Sequence, residues 1–250
     1  MCSDFEALIG PIPEAWFDLE PNEFFYGRYA PNIIASVYKI GDVFNTFCVA
    51  RSLFLDSHRN IDNPFIRSTQ LISSLMHYVI CWDLSWQVLS FYYGEDCDEL
   101  ICNRDYYLNA INRCNYPLLL YQLTLARDYK VREYLKTFES NELWKLLRST
   151  YNHYKHQGSF HIPGLGMQYR ESLFVVNGKR LPLLYKKEFD LDLWEHRLME
   201  YNQQFQSYFN NVIRFVLPHD YFSPMNNEQT LSCMLRISDL AKKARLADNS

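Results

Sequence analysis

Residues 71-LISSLMHYVICWDLSWQVLSFYY-93 are the longest apolar stretch of the chain, and how they are read decides the fold. The run is long enough for a bilayer span, which needs about 20 apolar residues. It also carries His77, Asp83 and Gln87, and a charge near the middle of a single span is costly. The stretch therefore reads as a buried helix of a soluble protein, with Ile72, Leu75, Met76, Val79, Trp82, Trp86, Leu89 and Tyr93 on one stripe. Its beginning is marked in 60-NIDNPFIRS-68. Asn63 can accept from free backbone N–H groups, and Pro64 in the first turn gives up no helical hydrogen bond.

Upstream, Pro31 opens a helix that ends near His58, with Ile34, Val37, Tyr38, Phe44, Phe47 and Phe54 roughly on one face and Gly41 and Ala50 as thin points. Two long helices joined by a short turn predict an antiparallel hairpin. Residues 1–29 read as an irregular arm, broken by Pro11, Pro13 and Pro21 and pinned down by aromatic side chains such as Trp16 and Phe25. Downstream of the acidic loop 94–100, Pro117 splits a helical region into 104–116 and 118–138. Ser140 then caps a fourth helix that carries Leu143, Trp144, Leu147 and Tyr151 and stops at Gly158.

Past Gly158 the pattern changes. Asn177-Gly178 between β-prone runs predicts a β-hairpin near 169–186. A fifth helix follows from Leu191 to Val216, with Trp194, Leu198, Tyr201, Phe205, Tyr208, Phe209 and Val212 inward, ended by Pro218. A short amphipathic helix with Leu231, Met234, Leu235 and Leu240 precedes a polar tail. The expected fold is all-α: an antiparallel helical bundle over 30–217 with a small β-hairpin insert before its last long helix, an arm at 1–29 and a C-terminal segment at 218–250.

Composition agrees with a packed, helical protein. Hydrophobic residues make up 48% of the chain, and eight glycines stand against nineteen tyrosines and seventeen phenylalanines. Few tight turns and much aromatic mass favour long helices with aromatic seams. A net charge of −4 argues against coating duplex DNA, which needs a cationic excess. Seven cysteines, an odd number, follow an N-terminus with early acids and a proline in place of a basic segment and apolar core. A reducing cytoplasmic location is therefore expected, with no membrane role.

Cys97 and Cys102 have no second ligand pair at zinc spacing, so no metal is expected there. No phosphate loop, His-Glu-x-x-His motif or Gly-x-Ser-x-Gly elbow is present, and no cofactor is expected. Asp96, Asp98 and Glu99 read as a solvated loop.

The chemistry concentrates in 147-LRSTYNHYKHQGSFH-161. At about 100° per residue, Asn152 lies about 40°, Lys155 about −20° and His156 about 80° from Arg148, whereas His153 lies at about 140°. Arg148, Asn152, Lys155 and His156 thus share a polar face, and Leu143, Trp144, Leu147 and Tyr151 hold the core side of the helix. Cations near a helix C-terminus also complement its exposed carbonyls, so the same pattern fits a solvated helix end. An imidazole beside fixed cations can move protons near neutral pH, and Arg and Lys donate to phosphate.

Arg148-Ser-Thr-Tyr-Asn-His153 has the Arg-x4-His form, with polar Ser149 after the arginine, that marks ribonucleases of the HEPN superfamily, and the order of helices over 30–215 resembles theirs. The overlapping 152-NHYKHQG-158 resembles an Asn-x-x-Lys-His-x-Gly variant, a register that makes His156 the motif histidine and places Tyr151 where the arginine belongs. The resemblance implies metal-independent RNA cleavage at a site shared across a homodimer whose fourth helices meet. In it, His153 or His156 takes the ribose 2′-OH proton, and Arg148 with Lys155 stabilises the phosphate. Asn152 and Lys155 belong to the RNA-binding face.

The Tyr151 register implies instead a non-catalytic binding or dimerisation module for RNA or a nucleotide. A third reading is a helical scaffold for a cognate protein partner, docking through 13-PEAWFDLEPNEFFY-26 and the hairpin of the 170s.

Overall fold

Asparagine and aspartate set where most of the helices begin. The computed structural model describes residues 9–19, 22–94, 97–165, 175–180 and 186–248, and these form an all-α fold of eleven helices. They are α1 (Glu14–Phe17), α2 (Glu23–Arg28), α3 (Pro31–Arg59), α4 (Pro64–Gly94), α5 (Glu99–Cys102), α6 (Arg104–Arg113), α7 (Tyr116–Leu125), α8 (Tyr129–Glu139), α9 (Glu142–Gln157), α10 (Leu191–Val216) and α11 (Asn227–Asp248). Side-chain oxygens of Asn22, Asn63, Asn103, Asn115, Asp128, Asn141, Asp190 and Asn226 accept from N–H groups of the first turn that follows. Each bond satisfies a donor that the helix itself cannot.

These caps correct several expectations. Asn141, not Ser140, caps α9. Pro117 sits inside the first turn of α7, where it loses no helical bond, and the chain breaks before it at Cys114. A second break, at 126–128, puts Arg127 at φ 58°, after which Asp128 starts α8. The N-terminal arm is not irregular throughout, since α1 and α2 are helical.

Antiparallel pairing of α3 and α4 is recorded by a series of short polar bonds. Asn32 Nδ2 donates to the Tyr92 carbonyl at 2.8 Å, Ser36 Oγ to that of Val88 at 2.9 Å, and Ser74 Oγ to that of Ala50 at 2.8 Å. Cys81 Sγ lies 3.9 Å from the Val43 carbonyl. Residue numbers fall on α4 as they rise on α3, mostly in steps of seven, the repeat of a packed helix seam. Small side chains at these points let each helix reach the other's backbone. Ala50 is a thin point as expected, but a Cβ at Gly41 would meet nothing.

The buried stripe of α4 is Leu71, Ser74, Leu75, Tyr78, Val79, Cys81, Trp82, Ser85, Val88 and Leu89, whereas Ile72, Met76, Trp86 and Tyr93 are only half-buried. Among the described residues, α3 is the one helix long and apolar enough to cross a membrane by length and composition, and half of that window is buried inside the protein.

The chain forms two compact units, each built from three segments. The first comprises Met1–Pro11, Phe47–Ile80 and Glu139–Gln204. Its core holds Phe47, Phe54, Tyr78, Trp144, Leu147, Leu198 and Tyr201, with Tyr78 edge-on to Tyr201 at 5.4 Å and Trp144 stacked on Tyr201 at 5.8 Å. The second comprises Ile12–Thr46, Cys81–Phe138 and Phe205–Ser250. There Trp82, Phe138 and Tyr208 stack within 5 Å of one another, and buried Trp16 donates to Asn210 at 2.7 Å. All seven side chains expected inward on α10 are buried.

The C-terminal segment differs from the sequence reading. α11 is a 22-residue helix in which Cys233 and Leu240 are buried, while Leu231, Met234 and Leu235 are exposed. It packs on α2 so closely that a Cβ at Gly27 would lie 2.7 Å from Cys233 Cα. Gly27→Ala is therefore expected to destabilise the protein by about 1–3 kcal/mol, because backbone must move to admit the methyl group. A chemical-denaturation midpoint below wild type checks this.

Over 175–180 the backbone makes a minimal antiparallel ladder, Val175 opposite Arg180 and Val176 opposite Lys179. Two residues on each side add no sheet layer, and the remainder of the hairpin expected near 169–186 lies outside the described residues, apart from Lys186. Asp98 accepts from Lys243 and lies 3.9 Å from Arg236, so this carboxylate of the acidic loop holds α11 instead of standing free in solvent. Asp96 lies outside the described residues.

Candidate functional site

The end of α9 is shaped by Gly158, whose φ of 103° turns the chain sharply out of the helix. The exiting strand runs beside 187–189. His161 N donates to the Lys187 carbonyl at 3.0 Å and Phe189 N to the His161 carbonyl at 2.9 Å, a parallel bridge opposite Glu188. Phe160 is thereby buried against Phe189, 5.0 Å between ring centroids, and Phe189 stacks on Trp194 at 5.0 Å.

This aromatic ladder sorts the residues singled out in the sequence. The His153 ring stacks on Phe160 at 5.2 Å and is half-buried. Arg148 is half-buried with its guanidinium 5.8 Å above Trp144. Lys155 extends its ammonium over Tyr151 at 5.9 Å, and Asn152, Lys155 and His156 are all exposed. The first turns of α9 face inward through Trp144, Leu147 and Thr150. Asn152, Lys155 and His156 thus lie on the outer side of its last turns, and His153 is held against Phe160.

Several polar residues of this region carry no helical periodicity and escape a reading based on it. Lys187 Nζ donates to Thr150 Oγ1 at 3.1 Å. Partial burial, with Arg197 nearby, holds the Lys187 ammonium below the usual lysine range. Lys186 Nζ donates to Ser159 Oγ at 3.1 Å. His161 belongs to the quoted stretch but lies beyond the helix stop, where its backbone pairs with 187–189 and the residue is buried.

Near α4's first turns, Arg67 donates to Asp192 at 2.7 Å and to Glu195 at 2.5 Å, and Glu195 also meets His58 at 2.7 Å. This cluster ties the start of α10 to the α3–α4 turn. Among the described residues, no three His, Cys, Asp or Glu side chains come together as a metal site would require, and the six described cysteines are free thiols.

Compared with protein families, curated proteins and solved structures, the chain matches none.

Proposed function

We propose that this is a HEPN-like module that binds single-stranded RNA through the outer face of α9, acting as a homodimer in which two such faces meet. One observation carries the reading: Asn152, Lys155 and His156 are exposed together on the last turns of α9, while His153 is stacked against Phe160. Arg148 and Lys155 supply charge to a phosphate, Asn152 a donor and acceptor, and His156 an imidazole open to solvent. The overall charge of −4 suits a local contact of a few phosphates and not a long polyanion track. The geometry favours binding over cleavage, because the histidine that completes Arg-x4-His is engaged by an aromatic ring. His156 is the histidine available to take a ribose proton.

Fluorescence anisotropy with labelled single-stranded RNA tests the reading. Lys155→Ala should weaken binding across sequences and reduce the slope of log affinity against log salt by about 1. Unchanged affinity in an Arg148→Ala, Lys155→Ala, His156→Ala triple variant would overturn it. Incubation with chelator present reads out turnover. Cleavage that is lost in His156→Ala and kept in His153→Ala would add catalysis to this same face.

A further inference from the structure

A separate cavity of about 500 Å³ opens beside the α9 exit in the first unit, with Phe65, Ile72 and Phe160 among its apolar walls and His161 and Lys186 among its polar ones. This is the size of a small-molecule site, and apolar walls with a few convergent polar groups are its usual make-up. His161 is 9% exposed. Its backbone N–H and carbonyl are both engaged with 187–189, but among the described residues its imidazole nitrogens have no hydrogen-bond partner. The imidazole instead lines the open volume, where a ligand atom could pair with it. The Lys186 ammonium is bonded to Ser159 Oγ at 3.1 Å on the same lining.

We propose that this cavity binds a small carboxylic acid with an apolar body. The two carboxylate oxygens match one imidazole N–H and one ammonium, and the hydrocarbon portion lies against Phe65, Ile72 and Phe160. A phosphate monoester fits less well, because a dianion would lose its hydration among apolar walls with few donors to replace it. None of the α9 residues assigned to RNA takes part, so the two proposals stand or fall separately.

Isothermal titration calorimetry on the full chain, with octanoate, octanamide and inorganic phosphate as probes, tests the assignment. Octanoate should bind, octanamide about tenfold more weakly, and phosphate not at all. His161→Leu breaks no side-chain hydrogen bond to the described residues and keeps the backbone pairing with 187–189, so it should fold with an undiminished unfolding midpoint and lose the preference for the acid. Lys186→Met, at an exposed position, should weaken octanoate about tenfold. Ile72→Trp should fill the cavity and abolish binding. The proposal is overturned if octanoate gives no heat at millimolar concentration, if the amide binds equally well, or if Ile72→Trp leaves octanoate affinity unchanged.

Discussion

Trp82→Ala is expected to cost about 3–5 kcal/mol of stability, the range for removing a large aromatic from a core that cannot collapse around the gap. Trp82 is fully buried in the second unit. Its ring stacks on Phe138 at 4.6 Å, lies 4.9 Å from Tyr208 and meets Trp86 edge-on at 5.7 Å. Those neighbours come from α4, α8 and α10, so the indole links three helices. Phe138 and Tyr208 also stack on each other at 4.2 Å, which restrains both from moving into the vacated space. Trp86→Ala, at a half-buried position on the same helix, should cost clearly less. Urea unfolding followed by circular dichroism measures both, and equal losses would contradict the central place given to Trp82.

The second large effect is expected from Asn202→Leu, at about 2–4 kcal/mol, because the change takes a hydrogen-bond partner from several buried polar groups at once. Asn202 is fully buried in the first unit, and Arg51 beside it is 4% exposed. The amide oxygen of Asn202 accepts from the Tyr78 hydroxyl at 3.0 Å and from Arg51 at 3.3 Å, and its Nδ2 donates to the Ile9 carbonyl at 2.9 Å. Arg51 donates as well to the carbonyls of Ile9, at 3.3 Å, and Gly10. Leucine matches asparagine in bulk but offers none of these bonds, so the Tyr78 hydroxyl and Arg51 each lose a buried acceptor and the Ile9 carbonyl is left with Arg51 alone of the two donors. Arg51→Met should be similarly costly. The double variant should lose less than the two single losses added together, since both remove one network. Faster amide exchange at Ile9 and Gly10 in either variant would show that this network holds the N-terminal segment down. Additive losses would sink the idea of a shared network.

The same two sites show what the sequence makes legible. Trp82 lies on the apolar stripe of 71–93, so periodicity places it toward the core, although Ile72, Met76, Trp86 and Tyr93 of the same stripe end half-buried. Arg51 and Asn202 carry no such signal, since their partners lie 41 to 193 positions away. The candidate binding face divides in the same way. Arg148, Asn152, Lys155 and His156 share one face by helix geometry, and the structure leaves Asn152, Lys155 and His156 exposed together. That His153 stacks on Phe160 depends on the turn at Gly158 and on a strand pairing with 187–189, neither of which helical spacing encodes. The exposure of Leu231, Met234 and Leu235 on α11 likewise depends on which side of that helix meets Gly27.

By itself, the sequence determined that the protein is all-α and, to within a residue or two, where the long helices α3, α4, α9 and α10 start and stop, but not the break at 126–128, the helices of the N-terminal arm or the length of α11. A cap acts within three residues of itself, a proline or a positive-φ glycine acts on its own backbone, and an apolar stripe repeats within one turn, so each signal is complete in a short window. Only the tertiary structure decided that small residues bring α3 and α4 together at Ser36, Ala50 and Ser74. It alone placed the His161 imidazole beside a cavity and set His153 apart from His156. Those outcomes depend on which distant segments bury one another, and burial, unlike capping, is a property of the packed chain as a whole.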